Sequence, residues 1–270
     1  MQFVPGISSA QTMPAAPAGA GRKPSLWILD SWRDLVRLGS IVADLPTSAR
    51  AHVNYATELQ EAGRDDEAAK EFAEAIRLNP GSAKAHVNLG SLLTTKGELD
   101  QAESHLEQAL RIEPKNAEYH SGYAYLLDQL GRKDQAASEC ETAIRLAPKS
   151  AQAHYGYGAF LEKRGQPEEA IAKYRQTLQL DPAHVDAHID LGSLLLEKDE
   201  LTEAREHFEK ASELNPKLAQ PHNYLGKVLM REGNVSQAIA QFEEALRLPP
   251  DFPEAEQNLR IAKGTSAQSP

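Results

Sequence analysis

Small and bulky apolar positions recur along the chain at a fixed interval of 34 residues, with polar and charged positions between them. Prolines mark the beat at Pro46, Pro80, Pro114, Pro148, Pro182, Pro216 and Pro250. The same offset aligns Ala68, Ala102, Ala136, Ala170, Ala204 and Ala238. Four residues on stand Phe72, Leu106, Cys140, Tyr174, Phe208 and Phe242, then Ala75, Ala109, Ala143, Thr177, Ala211 and Ala245. Gly90, Gly158, Gly192 and Gly226 share a further column with Ala56 and Ala124. Small residues let two helices approach closely, and the bulky residue fills the space between them. Each 34-residue unit therefore predicts one helical hairpin.

The turns are legible as well. Gly63, Gly97, Gly131, Gly165 and Gly233 are placed to end each first helix in a left-handed conformation, with Asp199 standing where the fifth unit lacks the glycine. Asp66, Asp100, Asp134, Thr202 and Ser236 follow three residues later, three of them with a carboxylate, and predict caps for the second helices. Each second helix must stop before its proline. Ser48, Ser82, Asn116 and Ser150 predict caps for the next first helix. The expected organisation is a disordered Ala/Pro/Gly-rich leader over 1–24, a half-unit with a capping helix over 25–48, and six units at 49–82, 83–116, 117–150, 151–184, 185–218 and 219–252. A solvating end helix over 253–264, stopped by Gly264, and a disordered tail over 265–270 complete it.

Two helices and two short turns in 34 residues, with this small/large/proline pattern, resemble the tetratricopeptide repeat (TPR). The resemblance covers residues 49–252. It implies an all-α fold, a right-handed superhelical solenoid of antiparallel helix pairs, and a concave groove lined by the first helices that holds a peptide segment of a protein partner. Projected onto this chain, the groove positions include Arg50, Asn54, Lys84, Asn88, Tyr125, Asp128, Tyr155, Glu162, Asp186, Asp190, Glu197, Lys227 and Arg231. Tyr125 and Tyr155 fall beside Gly122 and Gly156, which implies a recess walled by aromatic rings and suited to an apolar or aromatic anchor. Tyr123 and Tyr157 fall at packing columns.

Charge sharpens the expected partner. The 29 Lys and Arg against 39 Asp and Glu give a formal charge of −10. Residues 185–218 alone hold nine acidic and four basic residues. An acidic array repels phosphate backbones and anionic lipid, so a nucleic-acid partner is not expected, whereas a segment of basic and aromatic character is. No apolar run approaches the roughly 18 residues of a membrane helix, and Pro5, Pro14 and Pro17 interrupt any secretory core. With one cysteine and no such signal, the expected compartment is the cytoplasm.

Six histidines, His52, His86, His120, His154, His188 and His222, share one column. Equivalent positions in successive units lie about 10 Å apart, too far for two of them to share a metal, so they are expected to pack between helices and to loosen the stack when protonated. No nucleophile with a base, paired carboxylates, phosphate-cradling glycine loop or zinc spacing stands out, and Cys140 sits at a core column as an inert thiol. The expected protein is therefore a non-catalytic scaffold without cofactor or metal. An alternative rests on Ser31 to Asp34, the apolar Leu35 to Leu45 and Ser48 to His52. That stretch resembles the linker before the TPR array of multi-spanning O-mannosyltransferase-like proteins and implies a detached or truncated module of a membrane glycosyltransferase system. The groove asparagines of O-linked N-acetylglucosamine transferases are matched only at Asn54 and Asn88.

Overall fold

A computed structural model describes residues 26–248 and 252–266. The expected leader over 1–24 and the end of the expected tail, 267–270, lie outside the described residues. The chain divides into two compact units, 1–78 and 79–270. The first holds α1 (Leu26–Asp44), α2 (Ala49–Glu61) and α3 (Asp65–Leu78). The second holds α4 (Ala83–Lys96), α5 (Leu99–Ile112), α6 (Ala117–Gln129), α7 (Lys133–Leu146), α8 (Ala151–Lys163) and α9 (Pro167–Leu180). It continues with α10 (Val185–Glu197), α11 (Leu201–Leu214), α12 (Ala219–Arg231), α13 (Val235–Arg247) and α14 (Pro253–Ser266). No strand occurs among the described residues, and no helix among them is long and apolar enough to cross a membrane. The fold is an all-α solenoid of antiparallel helix pairs.

Each pair closes around the columns of small and large residues. In the second unit Leu106, Tyr174, Phe208 and Phe242 are fully buried, and Cys140 is nearly so. Burying such a side chain contributes about 1.5–3 kcal/mol. The facing glycines admit it: a Cβ at Gly158 would meet Tyr174 Cε1 at 2.7 Å, and one at Gly192 would meet Phe208 Cε1 at 2.8 Å. Within this unit α4 lies against α6, α6 against α8, α10 against α12 and α12 against α14, so that first helices of successive pairs adjoin.

The caps divide into two kinds. The backbone N–H groups of Ala51, Ala85 and Ala153 donate to the hydroxyls of Ser48, Ser82 and Ser150 at 3.2–3.3 Å, and Glu118 N–H donates to Asn116 Oδ1 at 3.1 Å. His184 caps α10 through Nδ1, which accepts from Ala187 N–H at 3.2 Å. The second helices differ from expectation. In the second unit they begin two residues earlier, and Glu98, Arg132, Glu200 and Asn234 occupy the cap position without a side-chain cap bond. Asp66, Asp100, Asp134, Thr202 and Ser236 lie inside the first turn, where Asp66, Asp100 and Asp134 set negative charge against the positive end of the helix dipole instead. Five glycines end first helices at φ of 71° to 79°, and Asp199 takes the same left-handed conformation at φ 62°. α1 lies within the expected 25–48, whereas α14 outruns its expected bound, running through Gly264 to Ser266, because glycine costs an exposed helix only about 1 kcal/mol.

The histidine column ties each first helix to the turn before it. Nε2–H of His52, His86, His120, His154 and His188 donates to the carbonyl of Pro46, Pro80, Pro114, Pro148 and Pro182, respectively, at 3.0–3.2 Å. Those carbonyls would otherwise be orphaned where the proline stops the preceding helix. Nδ1 faces the residue 19 positions on, which is Glu71 for His52, Glu139 for His120, Gln241 for His222, and another histidine for His86 and His188. The Nδ1 partner therefore differs from rung to rung, which the shared column does not show.

Candidate functional site

The adjoining first helices of the second unit enclose a cavity of about 280 Å³ between α6 and α8. Tyr125, Tyr155, Tyr157 and Phe160 wall it, Cys140 of α7 lies at its base, and Asp128 and Lys163 stand at its edge. Its volume has a sequence cause. Cys140 occupies the column that Leu106, Tyr174 and Phe208 fill elsewhere, and the shorter side chain leaves space that α6 and α8 do not close. Gly156 adds to it, since a Cβ there would meet nothing within 4 Å. Tyr125 is 53% exposed and has no place in the core.

Polar groups surround this apolar recess. The Tyr155 hydroxyl donates to Asp190 Oδ2 at 2.9 Å, and its ring centroid lies 4.6 Å from that of His184 and 5.7 Å from that of Tyr174. The Tyr174 hydroxyl donates to Glu162 Oε2 at 2.6 Å. Burial pushes Asp190 up to about 6, against the Tyr155 hydrogen bond and with help from Glu162 and Asp186. The Tyr155 phenol is likewise raised, by burial first and then by Asp190. Lys163 Nζ reaches Asp128 Oδ2 at 2.5 Å, and the Asp128 side chain is 8% exposed. Burial also pushes the Cys140 thiol up to about 12, reinforced by Glu139, Asp128 and Glu141.

A second concavity of about 390 Å³ lies among α10, α12 and α14, lined in part by Glu197, Tyr224, Lys227, Arg231, Asn258 and Ile261. Its cations are engaged within the chain. Lys227 pairs with Glu254 and sits 4.9 Å above the Tyr224 ring, while Arg231 donates to the Leu196 carbonyl at 2.5 Å and faces Asp199 at 3.4 Å.

The residues projected from the repeat fall into three groups. Tyr125, Asp128 and Tyr155 come together at the recess, with Glu162 and Asp190 hydrogen-bonded to Tyr174 and Tyr155 beside it. Glu197, Lys227 and Arg231 share the second concavity. Lys84, Asn88 and Asp186 line neither cavity, and Lys84 and Asp186 are exposed on α4 and α10. In the first unit Arg50 and Asn54 are exposed on α2. Other lining residues were not among those projected. Tyr157 and Phe160 reach the cavity from packing positions of α8, and Cys140 reaches it from the second helix of its pair. The legible signal was the short residue in an otherwise bulky column.

Stacked helix pairs of 34 residues with first helices adjoining define a repeat solenoid of the kind that binds other proteins. A tetratricopeptide repeat family model matches residues 59–126, 93–160, 161–228 and 195–261, and the chain belongs to that family. Among solved structures it resembles the APC/C hetero-tetramer Cut9–Hcn1, with a TM-score of 0.73 and 17% identity over 86% of this chain and 46% of that one. It thus spans about half the length of that chain. It also resembles Pseudomonas aeruginosa pilF, with a TM-score of 0.65 and 19% identity over 79% of this chain and 97% of that one. YrrB, described as a TPR protein with an unusual peptide-binding site, matches with a TM-score of 0.53 and 23% identity, covering 71% of this chain and 99% of its own. At these identities the likeness is one of fold. Curated protein sequences give no match.

Proposed function

We propose that the chain is a non-catalytic interaction protein that holds an extended segment of a protein partner against the first helices of residues 79–270. An apolar or aromatic side chain of the partner enters the recess between Tyr125 and Tyr155, and a basic residue beside it meets Asp190, Asp186 and Glu162. The observation that carries this reading is the aromatic recess over Cys140. At about 280 Å³ it falls just below the roughly 300–1,000 Å³ of small-molecule sites, which suits an anchoring side chain. The exposed Tyr125 ring and the acidic neighbours, half-buried Asp190 and Glu162 and exposed Asp186, supply the two kinds of contact that dominate such interfaces.

Panning a random peptide library on the full chain tests it. Enriched peptides are expected to pair an aromatic or large aliphatic residue with a nearby Lys or Arg. Their affinity is expected to fall at least about tenfold in Tyr125→Ala, by loss of an aromatic anchor contact, and in Cys140→Leu, which fills the base of the recess. Peptides that bind both variants as tightly as the parent would place the binding surface elsewhere.

A further inference from the structure

We propose that His188 and His207 form a two-imidazole site for a borderline divalent transition-metal ion such as Zn²⁺, bridging α10 and α11. Their Nδ1 atoms face each other at 2.9 Å, with ring centroids 5.1 Å apart and planes at 45°. The other nitrogen of each ring already looks at an acceptor. His188 Nε2 is 3.2 Å from the Pro182 carbonyl, and His207 Nε2 is 3.7 Å from Glu203 Oε1. A neutral imidazole carries one proton. If each ring places it on Nε2 toward its acceptor, two lone pairs confront each other and call for a cation between them. Without an ion, a single proton on one of the two Nδ1 atoms bridges them, and the nitrogen of that ring facing its acceptor carries none. An ion held between the Nδ1 atoms takes the place of that proton and leaves each ring free to carry its own on Nε2, hydrogen-bonded to the Pro182 carbonyl from His188 and turned toward Glu203 from His207. Metal-bound histidines commonly show this pattern, with the distal N–H held by a carbonyl or carboxylate.

The geometry needs only a small adjustment. Zn–N bonds of about 2.0–2.1 Å at a tetrahedral angle require nitrogens about 3.3–3.4 Å apart, so the rings must separate by about 0.4 Å. His207 has the freedom to do so, its side chain being 18% exposed. No cluster of three or more His, Cys, Asp or Glu suited to a metal exists among the described residues, so water completes the coordination. The surroundings select the ion. Arg175 holds Glu203 at 2.9 and 3.1 Å, and Lys210 is a second nearby cation. Hard ions attracted by carboxylate charge are therefore disfavoured, while imidazole ligation favours Zn²⁺, Ni²⁺ and Cu²⁺. The same Nδ1 contact recurs at His86 and His105, 3.0 Å apart. No carboxylate pairs with His105 among the described ion pairs, so the same ion binds there more weakly. The histidine column alone cannot make such a site, because the second ligand comes from the other helix of the pair.

Titrating the full chain with ZnCl₂ tests this by calorimetry, by the unfolding midpoint, and by ¹⁵N resonances of the imidazoles. Saturable uptake is expected, with a rising midpoint and a shift of the Nδ1 resonances of His188 and His207. His207→Gln is expected to remove the tighter binding and His105→Gln the weaker. Glu203→Gln is expected to weaken the tighter one by at least about tenfold, as loss of a partner behind a ligating histidine does. The helical circular dichroism of each variant checks that it folds. Absence of saturable uptake by the parent, or uptake unchanged in folded His207→Gln, overturns the proposal.

Discussion

The Tyr155 hydroxyl donates a 2.9 Å hydrogen bond to Asp190, one position more than a full repeat away. It links the first helices of two successive pairs directly beside the recess. The same ring lies against His184 and Tyr174, so one aromatic wall is held from three sides while the opposite wall, Tyr125, is exposed. A partner side chain entering between them would meet one fixed surface and one adaptable surface.

Asp190 makes stability depend on pH. Its folded pKa of about 6 lies above the ordinary 3.8, so the folded state binds the proton more tightly. That contribution is complete below about pH 4 and is lost as pH rises through 6, on the order of 2–3 kcal/mol. Asp190→Asn keeps an acceptor for Tyr155 and removes the charge. Thermal unfolding is expected to show the variant more stable than the parent at pH 7.5 and equal to it below pH 4. A gap independent of pH would contradict this.

Glycines of the same helix differ in what they tolerate. Gly158→Ala drives a methyl into Tyr174, and Gly192→Ala into Phe208. Each is expected to cost about 1–3 kcal/mol in urea unfolding. Gly156→Ala meets open space and is expected to gain up to about 1 kcal/mol from helix propensity. It also places a methyl in the recess and so separates stability from peptide binding.

Asp199 ends α10 at a positive φ that side chains other than glycine adopt at a cost. Asp199→Gly is expected to raise stability by roughly 1 kcal/mol, offset in part by loss of the 3.4 Å contact with Arg231. Chemical denaturation of the two proteins side by side gives the sign.

Cys140 is expected to resist alkylation in the folded chain. With its thiol pushed up to about 12, the thiolate fraction at pH 8 falls about three orders of magnitude below that of an unperturbed cysteine. Rapid labelling by iodoacetamide without denaturant would show that the recess opens to its base.

The helix pairs were legible because a repeat states its rule several times over. One column of alanines or glycines is ambiguous, but six in register with a proline stop leave little freedom for the backbone. The recess was legible only in part. Projection of first-helix positions named Tyr125, Asp128 and Tyr155, whereas Tyr157 and Cys140 were assigned to packing and Phe160 was not singled out, and these three also line it. Caps on second helices were misplaced by two positions, since Asp is favoured both at the cap and in the first turn for related electrostatic reasons.

What the sequence by itself determined is the architecture: its 34-residue period encodes local helices, turns and nearest-neighbour contacts, all short in range. The tertiary structure alone decided which side chains face each other from different helices. His188 meets His207 across 19 positions, Tyr155 meets Asp190 across 35, and the deficit at Cys140 becomes a cavity rather than a collapse. These outcomes depend on rotamers and on small differences in helix separation, which a pattern of residue types does not encode.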